Sequence, residues 1–323
     1  MEVVNLTQAL VTKWDRFIDE SDNGTIFHKL KFLSYHNDFS GMKINHLVWL
    51  SGSEIFAVLP LFVSLNTKIK YGVSPYGSSF GGIIIKNGIN LEKAILIIEL
   101  LSNYCKSNKI QTLKITFPPS IYSNSRQSYI QYALSKKGAS IVKRDLFHIV
   151  PLKSNWNELY SSFSSSCRNK IKNAKIAFTI HENSDINEFY SILVEDKKRQ
   201  NSEPTHSLKE LQLLKEYFPK NIIVDIAISH QNGAKAAICY FDCSKDIIMT
   251  FYMCQEDNAL GYNGINALLE IGMKRSLNEG KKYLDFGGST FGYEISNLGV
   301  SKFKESFSST TDLRDTFNLA IDI

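Results

Sequence analysis

The sequence predicts an α/β (α+β) fold of two tandem domains, residues 1–150 and 151–323, each a mixed, mostly antiparallel sheet flanked by helices. Three observations carry that expectation. Residues 222–254 read as three strands joined by tight turns, an antiparallel meander. Residues 255–288 then give a loop, a helix and a short strand, and a helical crossover sets that strand beside and parallel to the third. The first half runs through the same order of elements, which reads as a duplication of one unit, although no sequence identity between the halves is evident. A chain of 323 residues with 43% hydrophobic and 12% aromatic content is long for one core and too apolar for a disordered segment.

In the first half, Ala9 to Glu20 place Leu10, Trp14, Phe17 and Ile18 on one side of a helix, and Asp22-Asn23-Gly24 breaks it. A second helix is expected from Thr25 to about Tyr35. Ile44–Leu50 and Glu54–Leu65 read as strands about a turn at Ser51-Gly52-Ser53. Residues 71–82 hold four glycines and two tyrosines. That loop is either a ligand wall, where glycines let backbone close in, or a plain corner. There follow a helix with Leu91, Ala94, Ile95 and Ile98 as its stripe, a strand at Thr112–Phe117 stopped by Pro118-Pro119, a helix near 126–137 and a strand near 141–152.

In the second half, Asn155–Phe163 and Ser164–Lys175 read as helices. Arg168, Lys172 and Lys175 fall at i, i+4 and i+7, a basic face whose ordinary meaning is a solvated surface. Thr179–His181 is a short strand, and Ile186–Gln200 a helix with Lys197, Lys198 and Arg199 in its last turn, where cations suit the dipole. Residues 201–206 form a loop, and Leu208–Phe218 a helix stopped by Pro219. The strands are Ile222–Ser229, Lys235–Phe241 and Ile247–Cys254. Gly261 and Gly264 bracket the turn before a helix striped with Ile265, Leu268, Leu269, Gly272 and Met273. A loop that opens a helix offers unpaired N–H groups and a positive dipole end to an anion. The same pattern also serves as a simple connection. Lys282–Phe286 is a strand stopped by Gly287-Gly288, with a short helix after it.

The net charge of +5 fits small polyanionic ligands such as nucleotides and does not by itself argue for nucleic acid. Five cysteines without a Cys-x-x-Cys pair argue against a disulfide framework or a zinc site, so no metal is expected. No leader segment and no bilayer-spanning run is evident, which gives a cytoplasmic protein without a membrane partner as the expectation. The sequence leaves the oligomeric state open.

Taken together, the order of elements resembles the GNAT acyltransferase superfamily, and in particular its double-domain branch, the Fem-like transferases and their sugar-modifying relatives. The matching residues are Ser164, Arg168, Ile171 and Ala174; Tyr283, Asp285 and Gly287-Gly288; and Leu298-Gly299, Phe303-Lys304 and Phe307. The Gly-Gly of the first half and the loop Pro204-x-His206 are also typical of that branch. The resemblance covers almost the whole chain, through motifs that are individually short. One departure stands out. The superfamily's pyrophosphate loop is Arg/Gln-x-x-Gly-x-Gly/Ala, whereas Gln255 is followed here by Glu256-Asp257, with glycines only at 261 and 264. Two carboxylates near a pyrophosphate repel it.

The resemblance implies an N-acyltransferase moving an acyl group from acyl-CoA, as co-substrate, to the amine of a nucleotide-linked, dTDP-type amino sugar for surface polysaccharide. Two alternatives stand beside it. One is a Fem-like transferase carrying an amino acid from aminoacyl-tRNA to a peptidoglycan precursor. The other is a non-catalytic binding module on the same fold. In the GNAT fold a thioester arm lies between two parallel strands that splay apart, which maps to Tyr252, Met253 and Cys254 with Gly261, Asn263 and Gly264 at the following turn. Asp285 and His206 are the candidate bases, Asp285 being equally readable as a buried carboxylate bonded to the Gly287 or Gly288 backbone. Glu203 and Glu294 are further candidates, and Tyr262 or Tyr293 is the candidate acid. Arg168, Lys172, Arg199 and Lys304 are candidates for acceptor phosphates. Tyr76, Ser79 and Phe80 are candidates for contacts to a base or sugar, with Glu203 also placed on the acceptor side.

Overall fold

The computed structural model describes residues 1–36, 41–66, 68–259, 261, 263–290, 292 and 298–322. Its first elements are β1 (Glu2–Asn5), α1 (Gln8–Glu20), α2 (Leu30–Leu33), β2 (Met42–Ile44), β3 (Leu47–Ser51), β4 (Glu54–Leu59), β5 (Phe62–Ser64), β6 (Tyr71–Ser74) and β7 (Ile84–Ile85). Next come α3 (Leu91–Ser107), β8 (Thr112–Thr116), α4 (Tyr129–Lys136), β9 (Ser140–Pro151), α5 (Trp156–Ser162), α6 (Ser165–Ala177) and β10 (Phe178–His181). The chain continues through α7 (Ile186–Arg199), α8 (Leu208–Tyr217), β11 (Ile222–Ser229), β12 (Lys235–Ser244) and β13 (Ile247–Gln255). It closes with α9 (Gly264–Asn278), β14 (Tyr283–Gly288), α10 (Leu298–Glu305) and β15 (Thr310–Ala320). Among the described residues no helix is long and apolar enough to cross a membrane.

Two compact units result. The first is Met1–Leu146 with Phe291–Glu294 and Asp312–Ile323; the second is Phe147–Thr290 with Ile295–Thr311. The sequence reading sets one boundary at residue 150 and gives everything after it to the second domain. In the structure β15 instead enters the first unit, where Thr316–Ala320 pair antiparallel with β8. Phe317, Leu319 and Ile321 are the apolar residues it brings to that core.

Each unit carries the mixed, mostly antiparallel sheet that the sequence predicts, and each contains one parallel pair. In the first unit the strand order β2-β5-β6-β8-β15 holds β6 parallel to β8 through four rungs, Tyr71↔Thr112 to Ser74↔Ile115. A smaller sheet, β1-β3-β4-β7, lies in the same unit. In the second unit the order β10-β11-β12-β13-β14-β9 holds β13 parallel to β14. The sequence β5, β6, loop, helix, β8 thus matches β12, β13, loop, α9, β14, which supports duplication by topology.

The loop that follows β6 is a packed corner. Phe80 is fully buried against Phe27 and Tyr122, with ring centroids 4.8 Å from each. The Gly77 carbonyl accepts from Tyr35 Oη at 2.9 Å and lies 2.7 Å from His36 Nε2, and Gly81 O lies 3.1 Å from His28 Nε2. Phe80 is therefore core and unable to reach a base or sugar. The Ser79 carbonyl accepts from Arg314 Nη1 at 2.7 Å, and Tyr76 is half-buried against Phe62.

In the second unit, α9 lies close on the meander. A Cβ on Gly272 would sit 2.4 Å from Tyr240 Oη, and that hydroxyl donates to Leu268 O at 2.9 Å. Gly264 has the same constraint, 2.9 Å from Ala236 Cβ and 3.0 Å from the Phe178 ring. At the far end Arg275 forks onto Asp225, fully buried on β11, at 2.8 and 3.3 Å. These contacts fix where α9 begins.

Two buried histidines give the first unit a pH signature. His28 Nδ1 accepts from the Thr25 backbone N–H at 3.1 Å, so Nε2 carries the proton toward Gly81 O. Burial pushes His28 and His46 each down to about 4 from the ordinary 6.5. Between those values the unfolded chain binds protons that the folded chain does not, so stability falls as pH drops through that window. We expect a loss of about 2 kcal/mol per histidine between pH 7 and pH 5. Urea unfolding followed by tryptophan emission measures it, and His28→Gln should remove part of the slope. A flat profile contradicts the neutral, buried assignment.

Candidate functional site

The parallel ladder between β13 and β14 has three rungs, Ile247↔Tyr283, Ile248↔Leu284 and Met249↔Asp285, and ends there. Beyond it β13 stays on β12 through Ala236↔Gln255, while β14 follows β9 to Gly288↔Phe147. A bulge helps the strands part. Cys239 faces Tyr252 and Tyr240 faces Thr250, so Phe251 is one residue extra in β13 and adds local twist. Among the described residues no rung joins β13 to β14 past Met249.

A cleft of about 480 Å³ opens beside the end of β13. Met253, Cys254 and Gln255 form one wall, and Gly261, Asn263, Ile265 and Asn266 form another. Asp196, Arg199 and Gln200 line it from α7, with Lys170 from α6 and Gly299, Val300 and Phe303 from α10. Gly261 and Asn263 both take the left-handed backbone conformation, at φ +87° and +65°, and the Asn263 side chain does not cap α9. Asp196, 4% exposed, accepts from Gln200 Nε2 at 2.6 Å and pairs with Arg199, holding both at the rim. Asp257 lies 3.8 Å from Arg199 Nε. Asn266 is 4% exposed; among the described residues its Nδ2 meets no oxygen acceptor, and its side chain lies against the Cys167 thiol. The Cys167 thiol beside it is a weak acceptor.

The exit of β14 is built differently. Asp285 is fully buried, and its Oδ1 accepts from Gly287 N at 2.7 Å. Lys304, 3% exposed, donates to Gly287 O at 3.0 Å and Gly288 O at 2.7 Å. Its ammonium thus meets the ends of two peptide dipoles beside a buried carboxylate. Next to it, His148 Nδ1 lies 2.9 Å from Ser289 Oγ, and its Nε2 lies 3.3 Å from Ser301 Oγ and 3.7 Å from Glu305. These bonds tie α10 to the β14 exit.

Of the sequence candidates, the fold brings Met253, Cys254, Gly261, Asn263 and Arg199 to one cleft. Gly264 is adjacent, packed under α9. His206 and Tyr252 meet at 2.6 Å (Nδ1 to Oη), neither among the residues that line the cleft, and burial pushes Tyr252 up to about 12. The structure does not gather the basic face on α6 at one point. Arg168 turns back onto the carbonyls of Ser161 and Phe163, Lys175 pairs with Glu270 at 2.6 Å, and Lys172 points to solvent. Lys304 holds carbonyls and is too buried to meet an acceptor phosphate. Glu203 is exposed on the loop before α8. Tyr262, Tyr293 and Glu294 lie outside the described residues. Sequence reasoning missed Lys170, Asp196 and Asn266. Asn266 left a faint signal, a polar residue within the apolar stripe that opens α9; Lys170 left none.

A scan against family models and a search of curated proteins each found no match. Solved structures do match. FemX aligns with a TM-score of 0.76 at 13% identity, over 99% of this chain and 98% of that one. The C-terminal domain (DUF2156) of a putative lysylphosphatidylglycerol synthetase from Agrobacterium fabrum gives 0.57 at 10%, over 96% and 90%. A tandem GNAT protein from the clavulanic acid biosynthesis pathway gives 0.56 at 10%, over 100% and 99%. At such identities the likeness is one of fold: this chain has the tandem GNAT-type acyltransferase fold.

Burial pushes Lys304 down to about 8 from 10.5, against the opposing pull of Asp285. Below about 8 folded and unfolded chains both hold the proton. Between 8 and 10.5 only the unfolded chain does, so this group makes stability rise with pH. The stability difference between the parent protein and Lys304→Met should therefore widen in the parent's favour across that window. Denaturant midpoints of both proteins, taken at several pH values, give that difference; a constant gap refutes the buried ammonium.

Proposed function

We propose that this chain is an acyltransferase of the Fem-like kind, moving an aminoacyl group from the ester of an aminoacyl-tRNA to the amine of a peptidoglycan precursor. The observation that carries the reading is the cleft beside the end of the parallel ladder, whose wall includes Asn266, a buried amide that meets no oxygen acceptor among the described residues. A buried donor left unpaired is costly, and a ligand oxygen removes the cost. An ester carbonyl seated in the cleft gains negative charge as the amine attacks, and Asn266 on its wall is the side-chain amide assigned to stabilise it. β13 past the last rung of the parallel ladder lies beside the same oxygen. Lys170 and Arg199 supply positive charge for the donor's phosphates.

The amine nitrogen bonds to the carbonyl carbon, the ester C–O bond breaks, and the ribose oxygen leaves. The proton lost by the amine passes through water to that oxygen. Asp285, Lys304 and His148 act by position, keeping the end of β14 apart from β13.

Two observations favour an aminoacyl ester over a coenzyme A thioester. The fold likeness to FemX is nearer than to the tandem GNAT protein, 0.76 against 0.56. The turn before α9 also carries two carboxylates. Glu256 accepts from Lys235 N at 2.8 Å and is folded away, but the Asp257 side chain stays 73% exposed beside Arg199, where it repels a pyrophosphate. The reading with acyl-CoA as donor and a dTDP-type amino sugar as acceptor has one observation in its favour, the left-handed backbone at Gly261 and Asn263, which suits a close approach of phosphate.

The deciding assay offers both donor and acceptor pairs. Labelled aminoacyl-tRNA with a nucleotide-linked muramyl peptide should give labelled peptide. Thiol release from acyl-CoA with an amino-sugar panel, and no tRNA-dependent transfer, would reverse the assignment of donor. Neither activity, with ligand binding intact by calorimetry, leaves a binding module. Asn266→Leu should slow transfer by about 10²–10³ while the melting temperature holds. Full activity in that variant removes Asn266 from the reaction.

A further inference from the structure

We propose that the β5–β6 connection of the first unit is a docking surface for an anionic lipid bilayer. Leu65 and Ile69, each 60% exposed, are the most exposed large aliphatic side chains among the described residues of that unit. They stand four residues apart in one loop. Asn66 Oδ1 accepts from Lys68 N at 2.8 Å and Ile69 N at 3.4 Å. Exposed single aliphatics are ordinary, but two at the tip of one short connection, beside lysines, form a pattern.

The loop borders a cleft of about 560 Å³. Lys43, Lys68, Lys70 and Lys109 line it together with Leu65 and asparagines, and its lining includes no aspartate or glutamate. In the same unit Lys29 sits on Asp19 and Lys86 on Glu54, outside this cleft. A partner that matches this surface is anionic and also accepts bare hydrocarbon. A bilayer with acidic headgroups meets both requirements, since apolar tips enter the acyl boundary while lysines stay among the phosphates. RNA meets only the first. Its recognition uses aromatic stacking and hydrogen bonds, for which Leu65 and Ile69 supply nothing. The expectation of no membrane partner rested on the lack of a spanning run, and surface docking needs none. The inference stands apart from the proposed reaction.

The experiment is co-sedimentation of the full chain with phosphatidylcholine vesicles, with and without about one third phosphatidylglycerol. Binding should need phosphatidylglycerol and weaken with salt. Lys43→Glu/Lys68→Glu should lower the partition coefficient about 25-fold or more, at roughly fivefold per lysine lost. Leu65→Ser/Ile69→Ser should lower it at least tenfold. Ile69→Trp gives a second measurement, its emission shifting to the blue on phosphatidylglycerol vesicles alone. No binding, equal binding by the variants, or an unshifted Ile69→Trp emission overturns the proposal. So does tRNA binding that the lysine variants abolish while vesicles go unbound; the cleft would then belong to RNA.

Discussion

The second unit depends on where one parallel ladder ends. β13 and β14 are neighbours for three rungs, and Met249↔Asp285 is the last. Ending a ladder inside a sheet leaves backbone groups without their natural partners, which is costly unless other groups satisfy them. Here Asp285 takes the Gly287 N–H, and Lys304 takes the carbonyls of Gly287 and Gly288. The bulge at Phe251 turns β13 at the same level. The gap between the strands is therefore kept open by an ion pair's worth of buried charge on one side and a twist on the other.

Placement of α9 follows from the same region. Its first residue has to be glycine-sized, because Ala236 and the Phe178 ring occupy the space a side chain would fill. Its middle rests on the Tyr240 ring, and its last turn is held by Asp225. With both ends fixed, Asn266 has little freedom, and its amide stays buried at the cleft wall. The first unit repeats the topology with different packing: at the matching loop Phe80 fills the interior.

Much of the frame was legible in the sequence. The strands of the meander are apolar on both faces and separated by Asn-Gly or polar turns, and the helices α6 to α9 follow a plain 3.6-residue period. What failed did so for physical reasons. Glu54–Leu65 reads as one strand because its apolar run is continuous, yet Pro60 interrupts it and the chain changes sheet. The exchange of β15 into the first unit has no local signature, since its partner β8 lies two hundred residues earlier. In the site, glycine spacing located the turn, and the dipole argument located Arg199. Spacing along α6 could not tell that Arg168 folds back on carbonyls while Lys170 reaches the cleft. Asp285 takes the structural one of its two sequence readings, a buried carboxylate on the Gly287 backbone, while burial turns Lys304 from a phosphate candidate to a partner of carbonyls.

The strand exchange also sets a schedule during synthesis. Thr116 and Thr316 bring their hydroxyls within 2.9 Å, at a separation of 200 residues. At roughly 5–20 residues per second, the ribosome needs some ten to forty seconds between making the two. Throughout that interval β8 is an open sheet edge, and the core around Leu113 lacks Phe317 and Leu319. The unit that begins first is the one finished last, so the nascent chain has an unsealed edge that a chaperone, or a like chain on the same messenger, can reach.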